Sequence, residues 1–284
     1  MTRGSTRLRR VLPALLGVAL FAGSLTGCDW PERTLYVHPV YADYDVTSGI
    51  VYRQTTRWNG DPIQLRLDVY EPRGDTKAQR PVMMWMFGGG WRFGDRHQLA
   101  ALAQDSARRG YVAVTIDYRT RGDQDPFDLS AAELDAYDDT IAAIQWLQAN
   151  ASTYRIDPEA IVPAGFSAGA INALHAVWRP GTRGPTVTPA AGAVAASGMG
   201  FLTPPPDTPP VIMFNGDADP IVPYAAAKWS CDASTAAGNL CILVTTAGGG
   251  HTIAPNFSAI AHDFVFEQIL WPLGYRNQTM PPGI

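Results

Sequence analysis

Nearly continuous apolar runs alternate along the chain with segments whose apolar residues recur every three to four positions. Residues 63–70 (IQLRLDVY) alternate apolar and polar positions, which predicts a half-exposed edge strand. Residues 81–87 (PVMMWMF) and 111–116 (YVAVTI) are apolar throughout most of their length, as is typical of parallel strands buried on both faces. Further strands are predicted at 160–164, 190–196, 211–215 and 240–246, and helices at 97–109, 130–150, 168–178, 223–236 and 256–270.

This succession of strands and helices predicts an α/β fold, with a mostly parallel central sheet flanked by helices on both faces. The second helix is expected to begin at Ser130, with Glu133 completing a capping box. Pro163 is an anomaly, because a proline inside a central strand removes a ladder hydrogen bond. Residues 28–60 precede the pattern and are expected to pack as an N-terminal arm, which leaves 61–284 as one domain.

Residues 1–27 have the pattern of an export signal. Four arginines lie among the first ten residues and precede an apolar stretch, residues 11–25, that is short for a membrane-spanning helix. The following Leu25-Thr26-Gly27-Cys28 resembles the lipobox of bacterial lipoprotein signals, where cleavage precedes a cysteine that is then acylated. The resemblance implies a lipid anchor at Cys28 on a bacterial cell membrane, outside the cytoplasm. An ordinary secretory signal, releasing the protein, is the alternative.

The other two cysteines fit an oxidising compartment. Cys231 and Cys241 are ten residues apart, and thiols of exported proteins tend to pair, so a disulfide is expected. The alternative is two small buried hydrophobic side chains. Because no CxxC pattern or histidine cluster accompanies them, no metal site is expected.

Composition excludes one class of partner and leaves others open. The chain has 284 residues, 46% of them hydrophobic, which suffices for one large domain. Its net charge of −4 provides no basic field for a polyanion, so nucleic acid is not an expected partner. The sequence implies no cofactor, and it leaves the oligomeric state open.

A candidate nucleophile lies between a predicted strand and a predicted helix. Residues 165–169 (GFSAG) match G-x-S-x-G, in which the central serine occupies a strained strand-to-helix turn. The glycines leave room where a side chain would collide with neighbouring backbone. Ser167 would then lie at a helix N-terminus, whose dipole favours developing negative charge.

A serine hydroxyl needs a base, and the base needs an acid that orients it. His251 follows strand 240–246 in a glycine-rich loop, a place where catalytic groups concentrate. Asp217 and Asp219 both follow strand 211–215, at the sheet edge where open α/β folds build their sites. The order Ser, Asp, His is the one this kind of fold requires. The remaining histidines precede the domain or fall in helices and are expected to be structural or solvated: His38, His97, His175 and His262.

A glycine-rich loop offers hydrogen-bond donors for an oxyanion. Residues 87–91 (FGGGW) follow strand 81–87, and the backbone N–H of Ala168 would add a further donor. A phosphate-binding loop is the alternative, but the Lys-Ser/Thr pair that it requires is missing.

Five segments together, FGGGW, IDYR, IDPEAIVPAGFSAGA, NGDADPIVP and GGGH, resemble α/β-hydrolase esterases of the HGGG group, which includes the hormone-sensitive-lipase-like carboxylesterases. The resemblance covers roughly residues 60–270. It implies an α/β-hydrolase fold, Asp219 rather than Asp217 as the acid, and Gly89 and Gly90 as oxyanion donors. Phe87 stands where the lipase-like members have histidine, which leaves the subfamily open.

The predicted function is hydrolysis of carboxylic esters through an acyl-enzyme on Ser167. The loop at residues 197–210 is too short for a large cap, which predicts an open site for small-molecule esters with short or aryl groups. Trp91, Met199 and Phe201 are expected either to line the acyl pocket or to pack in the core. A serine peptidase or acyltransferase on the same fold and a catalytically silent binding module are the alternatives.

Overall fold

The computed structural model describes residues 34–123, 128–179 and 190–276. The predicted export signal and the predicted lipidation site at Cys28 lie outside these residues. In the described ranges, no helix has both the length and the apolar character needed to cross a bilayer.

One mixed sheet forms the centre of the described chain, with the strand order β1-β2-β4-β3-β5-β6-β7-β8. β2 is antiparallel to both β1 and β4, and all other neighbouring pairs are parallel. The strands are β1 (Tyr44–Thr56), β2 (Pro62–Pro72), β3 (Arg80–Met86), β4 (Val112–Ile116), β5 (Ile156–Phe166), β6 (Ala193–Ala196), β7 (Val211–Gly216) and β8 (Cys241–Thr246). The predicted α/β class with a mostly parallel sheet is confirmed.

Helices cover both faces of the sheet, because successive side chains of a buried strand point to opposite faces. In β3, Met84 and Met86 pack in one apolar cluster, whereas Met83 and Trp85 pack in another. The first cluster includes residues of α2, α4 and α5, and the second includes residues of α1 and α6. The helices are α1 (Ala100–Arg108), α2 (Leu129–Ala149), α3 (Ala151–Tyr154), α4 (Ala168–Trp178), α5 (Tyr224–Ala236) and α6 (Phe257–Phe264), which continues as a π-helical turn (Val265–Leu270).

Residues 34–60, the described part of the predicted arm, pack as part of the domain. β1 forms a long antiparallel hairpin with β2, so the predicted boundary at residue 60 falls inside the sheet. Before β1, Tyr36 is fully buried, and its N–H donates to the carbonyl of Arg109 at 2.7 Å. Tyr52 is the one buried residue of β1, and the other side chains of this edge strand are exposed or half-buried, which explains why the strand has no apolar periodicity in the sequence.

Two local expectations are also corrected. α2 is capped by Asp128, whose side chain accepts from the N–H of Ala131 at 2.9 Å, rather than by Ser130. Glu133 points inward instead of completing a capping box, and it lies 2.5 Å from Nδ1 of His175. Pairing of a buried carboxylate therefore overrides the local capping pattern. Pro163 was anomalous because a proline removes a ladder hydrogen bond from a central strand. No such bond to β6 is lost, because β5 pairs with β6 only from residue 164 onwards.

Candidate active site

Ser167 occupies the turn between β5 and α4 with a backbone φ of 54° and ψ of −119°, a strained conformation for a residue other than glycine. Close packing holds this turn. A Cβ added at Gly165 would lie 2.4 Å from the carbonyl carbon of Gly169, and one added at Gly169 would lie 2.2 Å from the carbonyl oxygen of Met86. The N–H of Ser167 also donates to the carbonyl of Ala196 at 2.8 Å. The two glycines of the motif are therefore required by space.

Three side chains from separate loops form a hydrogen-bonded series at the carboxyl edge of the parallel strands. Nε2 of His251 lies 3.0 Å from Oγ of Ser167, and its Nδ1 lies 2.8 Å from Oδ2 of Asp219. Ser167 follows β5, Asp219 follows β7 and His251 follows β8. The structure thus brings together the three residues that the sequence singled out, in the arrangement of a nucleophile, a base and an orienting acid.

The environment of Asp219 keeps its carboxylate ionised and immobile. Its side chain is fully buried, and Oδ1 accepts from the N–H groups of Ile221 at 2.8 Å and Val222 at 2.9 Å. Burial by itself raises the pKa of Asp219, but the hydrogen bonds from His251 and from these two N–H groups outweigh it and lower the pKa below its usual value. Asp219 is therefore suited to hold one orientation of the imidazole.

Asp217 has a different position. It is exposed, and Oδ1 accepts from the N–H of Gly248 at 2.6 Å, at the start of the loop that carries His251. Asp217 thus contacts the backbone of the histidine loop, while Asp219 contacts the imidazole. The structure therefore distinguishes the roles of Asp217 and Asp219, which their positions after β7 in the sequence did not distinguish.

The glycine loop after β3 lies directly against the nucleophile. A Cβ added at Gly88 would lie 3.1 Å from Cβ of Ser167. In the part of the chain that the structure describes, the N–H groups of Gly89, Gly90 and Ala168 have no acceptor. Backbone donors without an internal partner beside a nucleophile are the feature that an oxyanion site needs.

Ser167 and His251 lie in the wall of an open cavity of about 540 Å³. Its lining combines apolar side chains with one cation, Arg92, and one amide, Gln98. Its lining residues are Gly88, Gly89, Gly90, Arg92, Phe93, Gln98, Leu129, Phe166, Ser167, Ile221 and His251. Several lining side chains that the sequence does not single out lie in or near a motif: Arg92 and Phe93 follow the glycine loop, and Phe166 and Ile221 lie within the segments GFSAG and NGDADPIVP. Leu129 comes from the start of α2, and no local signal identifies it.

Trp91, Met199 and Phe201 were expected either to line the acyl pocket or to pack in the core, and none of the three lines this cavity. Trp91 is only 3% exposed, and Met199 packs against the apolar cluster beneath α2 and α4. Phe201 lines a second cavity of about 380 Å³, which shares Leu129 with the first. Of the two expected roles, packing in the core therefore fits Trp91 and Met199.

The two cysteines singled out in the sequence are joined in the structure. The Sγ atoms of Cys231 and Cys241 form a disulfide that links α5 to the first residue of β8. Among the described residues, no group of three or more His, Cys, Asp or Glu side chains is placed to hold a metal ion.

The chain is similar to known proteins in sequence and in structure. A profile named BD-FAE matches residues 67–180, and the profile of the Phospholipase/Carboxylesterase family matches residues 124–269, slightly more than half of the chain. Carboxylesterase 1C of Rattus norvegicus is 34% identical over 124 residues, which are 41% of this chain and 22% of that protein. Liver carboxylesterase 1 of Oryctolagus cuniculus is 31% identical over 165 residues, 54% of this chain and 29% of that protein. The matched segments thus span less than a third of these curated relatives.

A solved structure is similar over most of the chain. The esterase 2 of Thermogutta terrifontis, phosphorylated by paraoxon, has a TM-score of 0.65 and 26% sequence identity. The match covers 82% of this chain and 95% of that one.

Proposed function

The chain belongs to the Phospholipase/Carboxylesterase family of α/β-hydrolases, and on this premise we propose that it hydrolyses carboxylic esters through an acyl-enzyme on Ser167. One observation carries the proposal. The hydrogen-bonded series from Asp219 through His251 to Ser167 ends in an open cavity, beside backbone N–H groups that have no internal acceptor.

Acylation begins when Oγ of Ser167 attacks the ester carbonyl carbon while its proton passes to Nε2 of His251. The ionised Asp219 stabilises the imidazolium that forms. The carbonyl oxygen becomes an oxyanion, to which the N–H groups of Gly89, Gly90 and Ala168 donate. Each such donor contributes about 3–4 kcal/mol of transition-state stabilisation. When the tetrahedral intermediate collapses, the carbon–oxygen bond to the alcohol breaks, and His251 gives its proton to the departing alcohol.

Deacylation repeats these steps with water as the nucleophile. His251 takes a proton from water, whose oxygen attacks the acyl carbon, and the same N–H groups bind the second oxyanion. Cleavage of the bond to Oγ then releases the carboxylic acid and returns the proton to Ser167. The open cavity admits the water that this half-reaction needs, which favours hydrolysis over acyl transfer to another alcohol.

The substrate class that we propose is a small-molecule ester with a short acyl or aryl group. Phe93, Leu129 and Ile221 provide an apolar wall beside Ser167, and Phe166 adds an aromatic ring. A cavity of about 540 Å³ lies within the range of small-molecule sites. Long acyl chains would extend beyond this wall into solvent and gain little further burial.

The decisive experiment is hydrolysis of p-nitrophenyl esters, acetate through palmitate, by the exported form of the protein and by its Ser167→Ala and His251→Ala variants. We expect the highest kcat/KM on the short esters and activity near background in both variants. The fold relative described above is phosphorylated by paraoxon. We therefore expect paraoxon to add one phosphoryl group to the wild-type protein and none to Ser167→Ala, as measured by intact mass.

Each alternative predicts a different result in this experiment. Labelling of Ser167 without hydrolysis of any ester would favour a peptidase or an acyltransferase, and peptide or alcohol acceptors would then separate these two. A protein that is neither labelled nor active would be a binding module, contrary to the proposal.

We also propose that the protein works outside the cytoplasm, attached to the bacterial membrane by lipid at Cys28. The arginine-rich start, the apolar stretch 11–25 and the lipobox-like Leu25-Thr26-Gly27-Cys28 support this localisation. The disulfide between Cys231 and Cys241 agrees with an oxidising compartment. Labelled palmitate should enter the wild-type protein in the membrane fraction, and Cys28→Ser should abolish the label. Labelling that persists in Cys28→Ser, or a soluble wild-type protein without label, would contradict the anchor.

A further inference from the structure

A buried hydrogen bond joins the glycine loop to the helix that follows the nucleophile. Nε1 of Trp91 donates to Oδ1 of Asn172 at 3.0 Å. Trp91 directly follows Gly90, and Asn172 lies in α4, five residues after Ser167. Asn172 is fully buried, and the indole is nearly so. The bond therefore connects the two chain segments that carry the proposed oxyanion donors and the nucleophile.

The loop has an unusual backbone that requires support from outside. Gly89, Gly90 and Trp91 have consecutive positive φ angles of 119°, 59° and 58°, and at Trp91 a side chain is present despite this conformation. The N–H groups of Gly89 and Gly90 must remain available, so they cannot stabilise the loop themselves. At its start, the carbonyl of Phe87 accepts from the Tyr118 hydroxyl at 2.7 Å. At its end, the indole of Trp91 is held by Asn172.

The buried environment of Asn172 indicates a specific role for its Oδ1 atom. In the part of the chain that the structure describes, its Nδ2 is buried without a hydrogen-bond partner. Burying an amide with half of its hydrogen-bonding capacity unused is unfavourable, and an apolar residue of similar size would fill the same space without this penalty. The feature that an apolar residue would lack is the acceptor for Nε1 of Trp91.

We infer that Trp91 and Asn172 are positioning residues, whose hydrogen bond sets the distance between the oxyanion donors of the glycine loop and Oγ of Ser167. The inference rests on the proposed function and deepens it. It gives the buried Trp91 a role in supporting the transition state. Neither side chain touches the substrate, so their loss should affect the chemical step rather than substrate binding.

The test uses three variants: Trp91→Phe, which keeps a ring but removes the N–H; Asn172→Leu, which keeps the branched shape at Cγ but removes the acceptor; and the double variant. A displacement of about 1 Å in a catalytic group can lower the rate about 100-fold. We expect kcat to fall about tenfold or more, with KM within twofold of wild type. Affinity for a boronic acid that mimics the tetrahedral intermediate should fall in parallel. The double variant should be no worse than the single variants, because all three lack the same bond.

Trp85→Phe is the matched control. Its Nε1 donates to Oγ of Ser106 at 3.1 Å, and this indole is equally buried, but it packs on the opposite face of the sheet. The control should lower the melting temperature and leave kcat unchanged. If one of the two single variants, Trp91→Phe or Asn172→Leu, fails to fold, the other is sufficient for the test, because each removes one end of the hydrogen bond.

A decrease in kcat of less than fivefold in the folded variants would overturn the inference, as would additive effects in the double variant or an equal decrease in Trp85→Phe. Failure of the proposed function is distinguishable, because in that case wild-type protein would itself show no ester hydrolysis above Ser167→Ala.

Discussion

Nε2 of His262 lies 3.0 Å from Oγ of Ser106, the same separation as between His251 and Ser167. The two pairs differ in burial. His262 and Ser106 are both fully buried between α1 and α6, whereas His251 and Ser167 line an open cavity. No substrate can approach the buried pair, so access rather than the distance between serine and histidine identifies the candidate nucleophile.

The buried pair leads to a prediction about stability and pH. Burial, aided by the positive charge of Arg109, lowers the pKa of His262 to about 3. Below pH 6.5 the unfolded chain binds a proton at this histidine that the folded chain rejects, so the free energy of unfolding should decrease from about pH 6.5 towards pH 3. His262 should contribute up to about 1.4 kcal/mol per pH unit to this dependence of the free energy of unfolding on pH. Urea unfolding at pH 7, 6, 5 and 4 measures the dependence.

His262→Gln provides the comparison for that slope. The variant should be less stable at pH 7, because it loses the imidazole packed against Tyr111. Its free energy of unfolding should nevertheless vary less with pH than that of the wild type. Parallel curves for the two proteins would show that His262 does not determine the acid sensitivity.

The two aspartates that follow β7 should differ sharply in their effect on catalysis. Asp219→Asn should lower kcat about 10⁴-fold with little change in KM, because a neutral amide cannot stabilise the imidazolium of His251. Asp217→Asn should lower kcat less than tenfold, because an amide oxygen can still accept from the N–H of Gly248. Steady-state kinetics on p-nitrophenyl acetate distinguishes them, and an equal loss in both would be inconsistent with the assigned acid.

Neighbouring glycines of the oxyanion loop should also differ in their tolerance of alanine. A Cβ at Gly89 would lie 2.1 Å from the carbonyl oxygen of Phe93, whereas a Cβ at Gly90 would have no atom within 4 Å. Both residues have positive φ, so both substitutions strain the backbone, but only Gly89→Ala forces the loop to move. We expect a loss of about 10²–10³ in kcat for Gly89→Ala and a smaller loss for Gly90→Ala. A larger loss of kcat in Gly90→Ala than in Gly89→Ala would contradict this packing of the loop.

Removing the disulfide should change stability and leave catalysis largely intact. The bridge closes a short loop between α5 and β8, and such a loop contributes about 2–3 kcal/mol to the free energy of unfolding. Because Cys241 begins β8 and His251 follows its other end, the bond lies far along the strand from the imidazole. The double variant Cys231→Ser, Cys241→Ser should unfold at lower denaturant concentration and keep its kcat at 25 °C. A lost kcat in the folded variant would show that the bridge also supports the histidine loop.

Local patterns in the sequence were sufficient for the fold class and for the order of the chemistry. The predicted strand at 81–87 corresponds to β3 at Arg80–Met86, because a strand buried on both faces must be apolar at nearly every position. The G-x-S-x-G segment lies between β5 and α4, because the strained turn selects small residues on both sides of Ser167. These features depend on residues that are close together in the sequence, and so the sequence is sufficient to predict them.

Features that depend on contacts between distant segments required the tertiary structure. β1 has an exposed edge and weak periodicity, and only its pairing with β2 places it in the sheet. Glu133 does not form the predicted capping box, because its side chain pairs with His175 of another helix. The sequence left open whether Trp91 lines the pocket or packs in the core, and only the fold shows that it is buried and donates its N–H to Asn172, 81 residues away. The sequence by itself determined which residues can perform the chemistry, whereas three-dimensional packing decided which side chains surround and position them, since burial and hydrogen-bond partners are properties of the folded chain.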